Sequence, residues 1–174
     1  MEEREQRGRG MKQPVVRDIL HILEQDAHTT AEQIAERTGL SKRRVMRMIR
    51  ELESAGIIRK YKAVVNWDRT GAERVYAFIE VRVTPERGRG FNAVAERILR
   101  FPEVHSLYLM SGAYDLHVVA EGDNMREVAL FVAEKLATIE GVRSTATHFV
   151  LRRYKVDGDI LEQPEQAERL PISM

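Results

Sequence analysis

The chain has 174 residues, with 28 Lys and Arg, 27 Asp and Glu, and no Cys. This length suits one domain or two small ones, and a hydrophobic content of 43% excludes wholesale disorder. The absence of Cys excludes disulfides, thiol nucleophiles and thiolate metal sites. No apolar run is long enough to span a bilayer, and no apolar signal segment opens the chain. We therefore expect a cytoplasmic protein with no membrane partner.

The net charge of +1 hides an uneven distribution. Residues 37–62 carry nine basic and two acidic side chains, whereas residues 155–174 carry two basic and five acidic ones. Basic charge concentrated in one short segment is typical of a protein that binds a polyanion. The composition therefore favours a nucleic-acid partner for the N-terminal part of the chain.

A polar extension precedes the first predicted helix. Residues 1–10 contain two glycines and no hydrophobic periodicity, which is typical of a flexible segment. The sequence leaves open whether Met1 or Met11 is the natural start. Apolar residues at helical spacing then predict a helix over about Val15–Gln25.

Two further helices are predicted close together. Thr30 followed by Gln33 is a capping-box signature, and Gly39 is placed to end this second helix in a left-handed conformation. Ser41 is a favourable N-cap for a third helix that ends before Gly56. A helix, a tight turn and a second helix form the helix-turn-helix signature, in which the latter helix enters the DNA major groove.

The third predicted helix separates apolar and basic side chains. Its inward face falls at helical spacing and consists of Val45, Ile49 and Leu52. The candidate DNA-binding residues are Ser41, Lys42, Arg43, Arg44, Arg47 and Arg50. Arg43 and Arg47 are predicted to face the groove, and the remaining basic residues of this set to contact phosphate. A basic helix face is often merely solvated, but the turn, the cap and the two faces together favour double-stranded DNA.

The hydrophobic period changes after the third helix. β-prone residues alternate with basic ones between Ile57 and Val65 and predict a short strand or hairpin. Beyond a predicted linker the order is β-α-β-β-α-β, which is typical of a ferredoxin-like sandwich. The predicted strands lie at about Val75–Thr84, Val104–Ser111, Tyr114–Glu121 and Val142–Arg153, and the predicted helices at about Phe91–Arg100 and Met125–Ile139.

The predicted fold class is therefore α+β, with an N-terminal helix-turn-helix (winged-helix-like) domain followed by a ferredoxin-like βαββαβ α/β sandwich domain. The predicted divisions are a flexible extension at 1–10, a helix-turn-helix domain at 11–65, a linker at 66–74, a βαββαβ domain at 75–155 and a flexible acidic tail at 156–174. The first strand carries Tyr76 and Phe78 on the face opposite its main apolar row. Because the two helices cover only one face of the sheet, we expect a second subunit to cover the other in a homodimer.

Both halves of the chain resemble the Lrp/AsnC (leucine-responsive, feast/famine) transcriptional regulators. The pattern G-L-S-x-x-x-V…L-E…G-I-I…N at Gly39–Asn66 is similar to their DNA-binding half. The run Ser111–Gly122 is similar to their G-x-Y-D turn, and Gly141–Lys155 to their last strand. The resemblance implies a sequence-specific DNA-binding regulator rather than an enzyme, without a cofactor. It also implies dimers that often assemble into octamers, and a 75–155 domain that senses a small effector, usually an amino acid.

The resemblance places the effector near the turn between the second and third strands. The candidate effector-binding residues are Ser111, Gly112, Ala113, Tyr114 and Asp115, with Thr145 and Thr147 expected to face the pocket from a neighbouring subunit. An α-amino acid requires an anion for its ammonium group, which Asp115 would supply, and donors for its carboxylate, which the backbone of Gly112 and Ala113 would supply. In the alternative interpretation, Asp115 only stabilises a turn through local hydrogen bonds.

Two other functions remain open at this point. Sirohaem decarboxylases resemble the same family in both halves, but the stretch Ile57–Gly71 lacks the His-bearing, Arg-Phe-Gly-type run of those enzymes. A metabolite sensor that does not bind DNA is the third possibility. The five His residues are scattered without metal-ligand spacing, so no metal site is predicted. The operator, the direction of regulation and the effector are not specified by the sequence.

Overall fold

The computed structural model describes residues 13–72, 74–85, 88 and 90–162. The predicted flexible extension at 1–10 and residues 163–174 of the predicted tail lie outside the described residues. The chain divides into two compact units between Ala63 and Val64. Within the described ranges, no helix combines the length and apolarity that crossing a membrane requires.

The first unit contains three helices: α1 (Gln13–Gln25), α2 (Ala31–Thr38) and α3 (Lys42–Ser54). The predicted capping box is confirmed, because the Thr30 hydroxyl accepts the Gln33 N–H at 3.3 Å and Gln33 Oε1 accepts the Thr30 N–H at 2.8 Å. Gly39 ends α2 with φ 68°, a conformation that glycine adopts without strain. These local signals produce the helix-turn-helix.

The core of the first unit lies between the three helices. Ile19, Ile34 and Val45 are completely buried. The predicted inward face of α3 is confirmed at Val45 and Leu52, but Ile49 is only half-buried, and Met48, which is 4% exposed, is buried instead. Each residue turns the helix by about 100°, which places Met48 on the side of α3 that faces the other helices. Ile49 lies at the outer edge of that side.

Residues 57–66 contain no strand, so the predicted short strand or hairpin is wrong. A β-prone run needs a neighbouring strand to complete its hydrogen bonds, and this segment has none among the described residues. The N–H groups of Ile57 and Ile58 instead donate to the Leu52 carbonyl at 2.9 and 3.2 Å and close the end of α3. The helix-turn-helix is therefore followed by an irregular basic segment rather than a β wing.

The second unit confirms the predicted β-α-β-β-α-β order and the ferredoxin-like class. Its elements are β1 (Val75–Val83), α4 (Asn92–Ile98), β2 (Val104–Leu109), β3 (Leu116–Gly122), α5 (Met125–Leu130, continued by a π-helical segment over Phe131–Leu136) and β4 (Val142–Phe149). The strands form one antiparallel sheet in the order β2-β3-β1-β4. A short 3₁₀ turn, Trp67–Arg69, precedes β1.

The sheet buries one face beneath its helices. Ile79 and Val81 on β1 and Val118 on β3 are completely buried there, together with Leu136. The other face carries aromatic side chains: Phe78 and Tyr108 are 44% and 53% exposed. β1 therefore exposes aromatic surface at Phe78 on the face opposite its buried row.

A two-stranded hairpin follows the sheet, where the sequence predicted a flexible tail from Val156. Its strands are β5 (Lys155–Val156) and β6 (Asp159–Ile160). Asp157 and Gly158 connect them with φ values of 48° and 96°. An Asp-Gly pair with two positive φ values is a strong hairpin signal, and it outweighs the polar composition of this segment.

Candidate DNA-binding surface and effector site

The solvent-facing side of α3 carries a row of arginines. Arg43, Arg47 and Arg50 lie opposite the buried residues of this helix, as the helical spacing predicts. All six candidate DNA-binding residues are exposed: Ser41, Lys42, Arg43, Arg44, Arg47 and Arg50. The structure thus brings them together at the start and along the outer face of one helix.

The basic side chains of this surface differ in whether they form an ion pair. Among the described residues, Arg43, Arg44, Arg47 and Arg50 form no ion pair, so their guanidinium groups face solvent. A guanidinium group presents five N–H donors to a base edge or a phosphate. Four unpaired guanidinium groups on one helix form a surface suited to the polyanionic DNA backbone.

Lys42 is different, because its ammonium group donates to the Glu32 carboxylate on α2. The hydrogen bond from Lys42 lowers the pKa of Glu32 below its usual 4.5, and a hydrogen bond from the backbone lowers it further. Lys42 was predicted to contact phosphate. In this structure its charge is balanced by a carboxylate that the sequence reasoning did not associate with the DNA surface.

The start of α3 offers further donors. Ser41 has the extended backbone of an N-cap (φ −75°, ψ 145°), and within the described part of the chain its hydroxyl makes no capping hydrogen bond. The first N–H groups of a helix have no partner inside the helix, and the helix dipole favours an anion there. The hydroxyl and these N–H groups form a local environment that suits a phosphate oxygen.

The basic segment after α3 is attached to this helix by Tyr61. The Tyr61 hydroxyl donates to Glu53 Oε1 at 2.9 Å. Burial raises the pKa of Tyr61, and the hydrogen bond to the anionic Glu53 raises it further. This contact anchors the exposed residues Arg59 and Lys60 near the C-terminal end of α3.

The turn between β2 and β3 contains the first five candidate effector residues. Ser111, Gly112 and Ala113 are exposed, whereas Tyr114 and Asp115 are half-buried. Asp115 Oδ2 accepts the Val83 N–H at 2.8 Å, and the Asp115 N–H donates to the Val81 carbonyl at 3.1 Å. One carboxylate oxygen of Asp115 therefore fixes the turn to β1.

The two candidate threonines lie on the other side of β1. Thr145 pairs with Val81, and Thr147 pairs with Ile79. Leu116, Val81 and Thr145 form one row across β3, β1 and β4, so Thr145 lies about two strand spacings, roughly 10 Å, from the end of the turn. Within one protomer, the structure brings the turn and the threonines to the same part of the sheet without direct contact between them.

Comparison with known protein families matches both units. Residues 14–59 match the model of a winged helix-turn-helix DNA-binding domain, and residues 76–160 match the Lrp/AsnC ligand binding domain. An HTH-type transcriptional regulator of Bacillus subtilis, YugG, is 46% identical over 157 residues, which cover 90% of this chain and 95% of the relative. The chain belongs to the Lrp/AsnC family.

Two other known proteins are similar to this chain, one in sequence and one in structure. The leucine-responsive regulatory protein of Rhizobium meliloti is 32% identical, over 79% of this chain and 87% of that protein. The crystal structure of a transcriptional regulator of Neisseria meningitidis in complex with L-Met superposes with a TM-score of 0.63 and 27% identity, covering 82% of this chain and 91% of that one. This Lrp/AsnC protein therefore combines a DNA-binding unit with a ligand-binding unit, the arrangement of an effector-responsive transcriptional regulator.

Sequence reasoning missed two residues that contact the candidate DNA-binding surface. Glu32 lies ten positions before Lys42 on a different helix, and no helical spacing connects such a pair. Tyr61 was interpreted as part of a strand, whereas it attaches the basic segment to Glu53. The sequence offered one signal for the Tyr61–Glu53 contact: an aromatic residue lies within the basic segment that follows the helix.

Proposed function

We propose that this Lrp/AsnC regulator binds specific sites in double-stranded DNA by placing α3 in the major groove. Arg43 and Arg47 contact base edges, and Lys42, Arg44 and Arg50 contact phosphates together with Ser41. The observation that supports this proposal is the exposed, unpaired row of arginines directly opposite the buried face of α3. Because its partner is DNA, we infer that the protein acts in the cytoplasm.

We further propose that a small effector, an amino acid, modulates DNA affinity or assembly. The L-Met complex of the Neisseria meningitidis regulator supports this class of ligand. The proposed site consists of Ser111, Gly112, Ala113, Tyr114, Asp115, Thr145 and Thr147. Since the turn and the threonines do not touch within one protomer, the site requires a ligand that spans them or residues from a neighbouring subunit.

A homodimer is the proposed unit of assembly, with an octamer of four dimers as its higher form. Phe78 and Tyr108 support the dimer, because both expose aromatic surface on the sheet face opposite the helices. The ring of His117 lies beside both, with centroid distances of 5.4 and 6.4 Å. Residues 11–65 and 75–155 are the proposed DNA-binding and assembly domains, joined by the linker at 66–74.

The decisive experiment measures DNA affinity by fluorescence anisotropy on a duplex selected from random sequence by binding. Arg47→Ala should weaken binding about tenfold or more, because an arginine contact to a base is worth about 1–3 kcal/mol. Arg126→Ala is the matched control, since Arg126 is an exposed arginine on α5, outside the proposed surface. Equal affinities of Arg47→Ala and the wild type would contradict the assignment of α3.

The same preparation tests the two rival functions. A metabolite sensor without DNA binding predicts no salt-dependent affinity for any duplex. A sirohaem-decarboxylase-like enzyme predicts a spectral shift and release of carbon dioxide on addition of sirohaem. The curated relatives are transcriptional regulators, which favours the regulator over the enzyme.

A further inference from the structure

The second unit contains a polar cavity of about 250 Å³ that no proposed role uses. Polar and aromatic side chains from the segment before β1, from β1 and from the chain around the β5–β6 hairpin line it: Asp68, Arg74, Tyr76, Arg152, Arg153 and Glu162. Three arginines and two carboxylates give this lining a positive excess. A concave site in which a few charged groups converge is a candidate small-molecule site.

The fold holds the walls of this cavity together through backbone contacts. The Val150 N–H donates to the Tyr76 carbonyl at 2.8 Å and extends the β1–β4 pairing to the cavity floor. Asn66 Nδ2 donates to the Leu161 carbonyl at 3.0 Å, which joins the segment before β1 to the chain after β6. The Leu161 N–H also donates to the Tyr154 carbonyl at 2.9 Å. The cavity is thus built from defined backbone.

Arg153 is the central group, because its side chain is only 14% exposed. Its guanidinium lies 4.6 Å from the ring centroid of Tyr76 and forms an ion pair with Asp68 Oδ1 at 3.5 Å. That distance is at the long limit of a hydrogen bond, and a guanidinium has five N–H donors. A largely buried cation with one long polar contact favours an additional oxygen ligand.

The two neighbouring arginines differ in how firmly they are held. Arg152 Nε lies 3.5 Å from Glu162 Oε2. Arg74 stacks on Trp67 with 3.9 Å between its guanidinium carbon and the ring centroid, and its Nη1 pairs with Glu121. Stacking and pairing fix Arg74 at the wall, whereas the long contacts of the other two leave their guanidinium edges available to an incoming anion.

We propose that this cavity binds a small metabolite through a carboxylate or phosphate group, which Arg153 and Arg152 contact. Both groups offer the paired oxygens that match a guanidinium fork. The volume is below the roughly 300–1,000 Å³ of sites for drug-sized ligands, so the ligand is smaller than a nucleotide.

This site is separate from the proposed effector turn. Tyr76 at the cavity is five residues from Val81, to which the turn is hydrogen-bonded, and that separation corresponds to roughly 17 Å along β1. The regulator therefore has a second ligand site at the opposite end of the sheet, next to the segment that follows the helix-turn-helix unit in the chain.

Isothermal titration calorimetry on the full chain tests the proposal with sodium phosphate, sodium succinate and sodium chloride at equal ionic strength. We expect saturable heat with phosphate or succinate, which distinguishes the two anion classes, and none with chloride. Arg153→Gln should weaken that binding about tenfold or more. Arg153→Lys keeps the charge but loses the fork, and we expect an intermediate affinity.

Two controls separate this site from a general charge effect and from the effector turn. Arg126→Gln removes an exposed arginine elsewhere in the same unit and should leave anion binding unchanged. Asp115→Asn removes the negative charge at the effector turn and should also leave anion binding unchanged. If Arg153→Gln lowers stability, Arg152→Gln, at a side chain that is 61% exposed, carries the test. The proposal is overturned if neither phosphate nor succinate gives saturable binding. It is also overturned if Arg126→Gln or Asp115→Asn weakens anion binding as much as the cavity variants do.

Discussion

The ammonium group of Lys42, at the first position of the proposed recognition helix, is bound to the carboxylate of Glu32 on the preceding helix. The contact links α2 to α3 and balances one charge of the proposed DNA-binding surface. The lowered pKa of Glu32 reflects the same hydrogen bond. If Lys42 contacts a phosphate as proposed, DNA must compete with Glu32 for its ammonium group.

Glu32→Gln should strengthen DNA binding. The substitution removes the competing carboxylate, and Lys42 then contributes a full phosphate contact. We expect affinity to rise a few-fold at low salt, and the slope of log affinity against log salt to steepen by about 0.9 for one added phosphate contact. Anisotropy titrations of wild type and variant at several salt concentrations measure both quantities.

The matched control is Glu36→Gln, which removes the same charge from an exposed position of the same helix. A change in net charge alone would affect both variants equally. The competition between Glu32 and DNA is refuted if Glu36→Gln raises the affinity and the salt slope as much as Glu32→Gln.

Met48→Ala should destabilise the first unit more than Ile49→Ala. Met48 is 4% exposed in the core, and truncation of a buried Met costs about 2–5 kcal/mol. Ile49 lies at the edge of the core, so its truncation should cost roughly 1 kcal/mol. Chemical denaturation, monitored by the circular dichroism of the helices, measures the free energy of unfolding of both variants. An equal or larger loss of stability for Ile49→Ala would contradict the observed placement of Met48 in the core and of Ile49 at its edge.

The agreement between sequence and structure is greatest where the signal is local. The capping box at Thr30 and the left-handed Gly39 depend on neighbouring residues, and the sequence alone predicts both. The Lys42–Glu32 pair depends on how two helices pack, and the missing strand at 57–66 depends on the absence of a pairing partner. Neither is encoded in local spacing.

The C-terminal hairpin shows a different limit. Asp157 and Gly158 form a recognisable two-residue turn, but the acidic composition of the tail suggested a flexible segment. Its strands are only two residues long, so hydrophobic alternation gave no signal. The cavity was also unpredictable, because Asp68 and Arg153 are 85 residues apart in sequence and meet only in the folded second unit.

Lys135→Met should make the second unit less stable in a pH-dependent way. Burial raises the pKa of Glu103, but hydrogen bonds from Lys135 and the backbone outweigh burial, so the pKa lies below its usual 4.5. A lowered pKa stabilises the fold above pH 4.5, and this contribution is lost as the pH falls through the folded value. Because Lys135 is 47% exposed, we expect a loss of only about 0.5–1 kcal/mol at neutral pH.

Denaturation of both proteins in a pH series from about pH 7 downwards checks this prediction, because the stabilisation that depends on ionised Glu103 is lost as its carboxylate becomes protonated. The difference in stability between wild type and Lys135→Met should be present at neutral pH and should shrink as the pH falls through the lowered pKa of Glu103. Lys155→Met, at an exposed position in β5, serves as the control and should show no such dependence. A difference that persists unchanged in acid would mean that Lys135 stabilises the unit by packing rather than by charge.

Asp115→Asn separates the two interpretations of the β2–β3 turn. The asparagine oxygen still accepts the Val83 N–H, so the turn is retained, but the negative charge that would bind an effector ammonium group is lost. With L-methionine as the probe, we expect the DNA affinity of the wild type to change. In Asp115→Asn, the L-methionine concentration that gives half of this change should rise at least tenfold. Hydrogen exchange at Val83 verifies that the turn is intact. If the variant responds like the wild type, Asp115 only holds the turn, and the proposed ammonium contact is wrong.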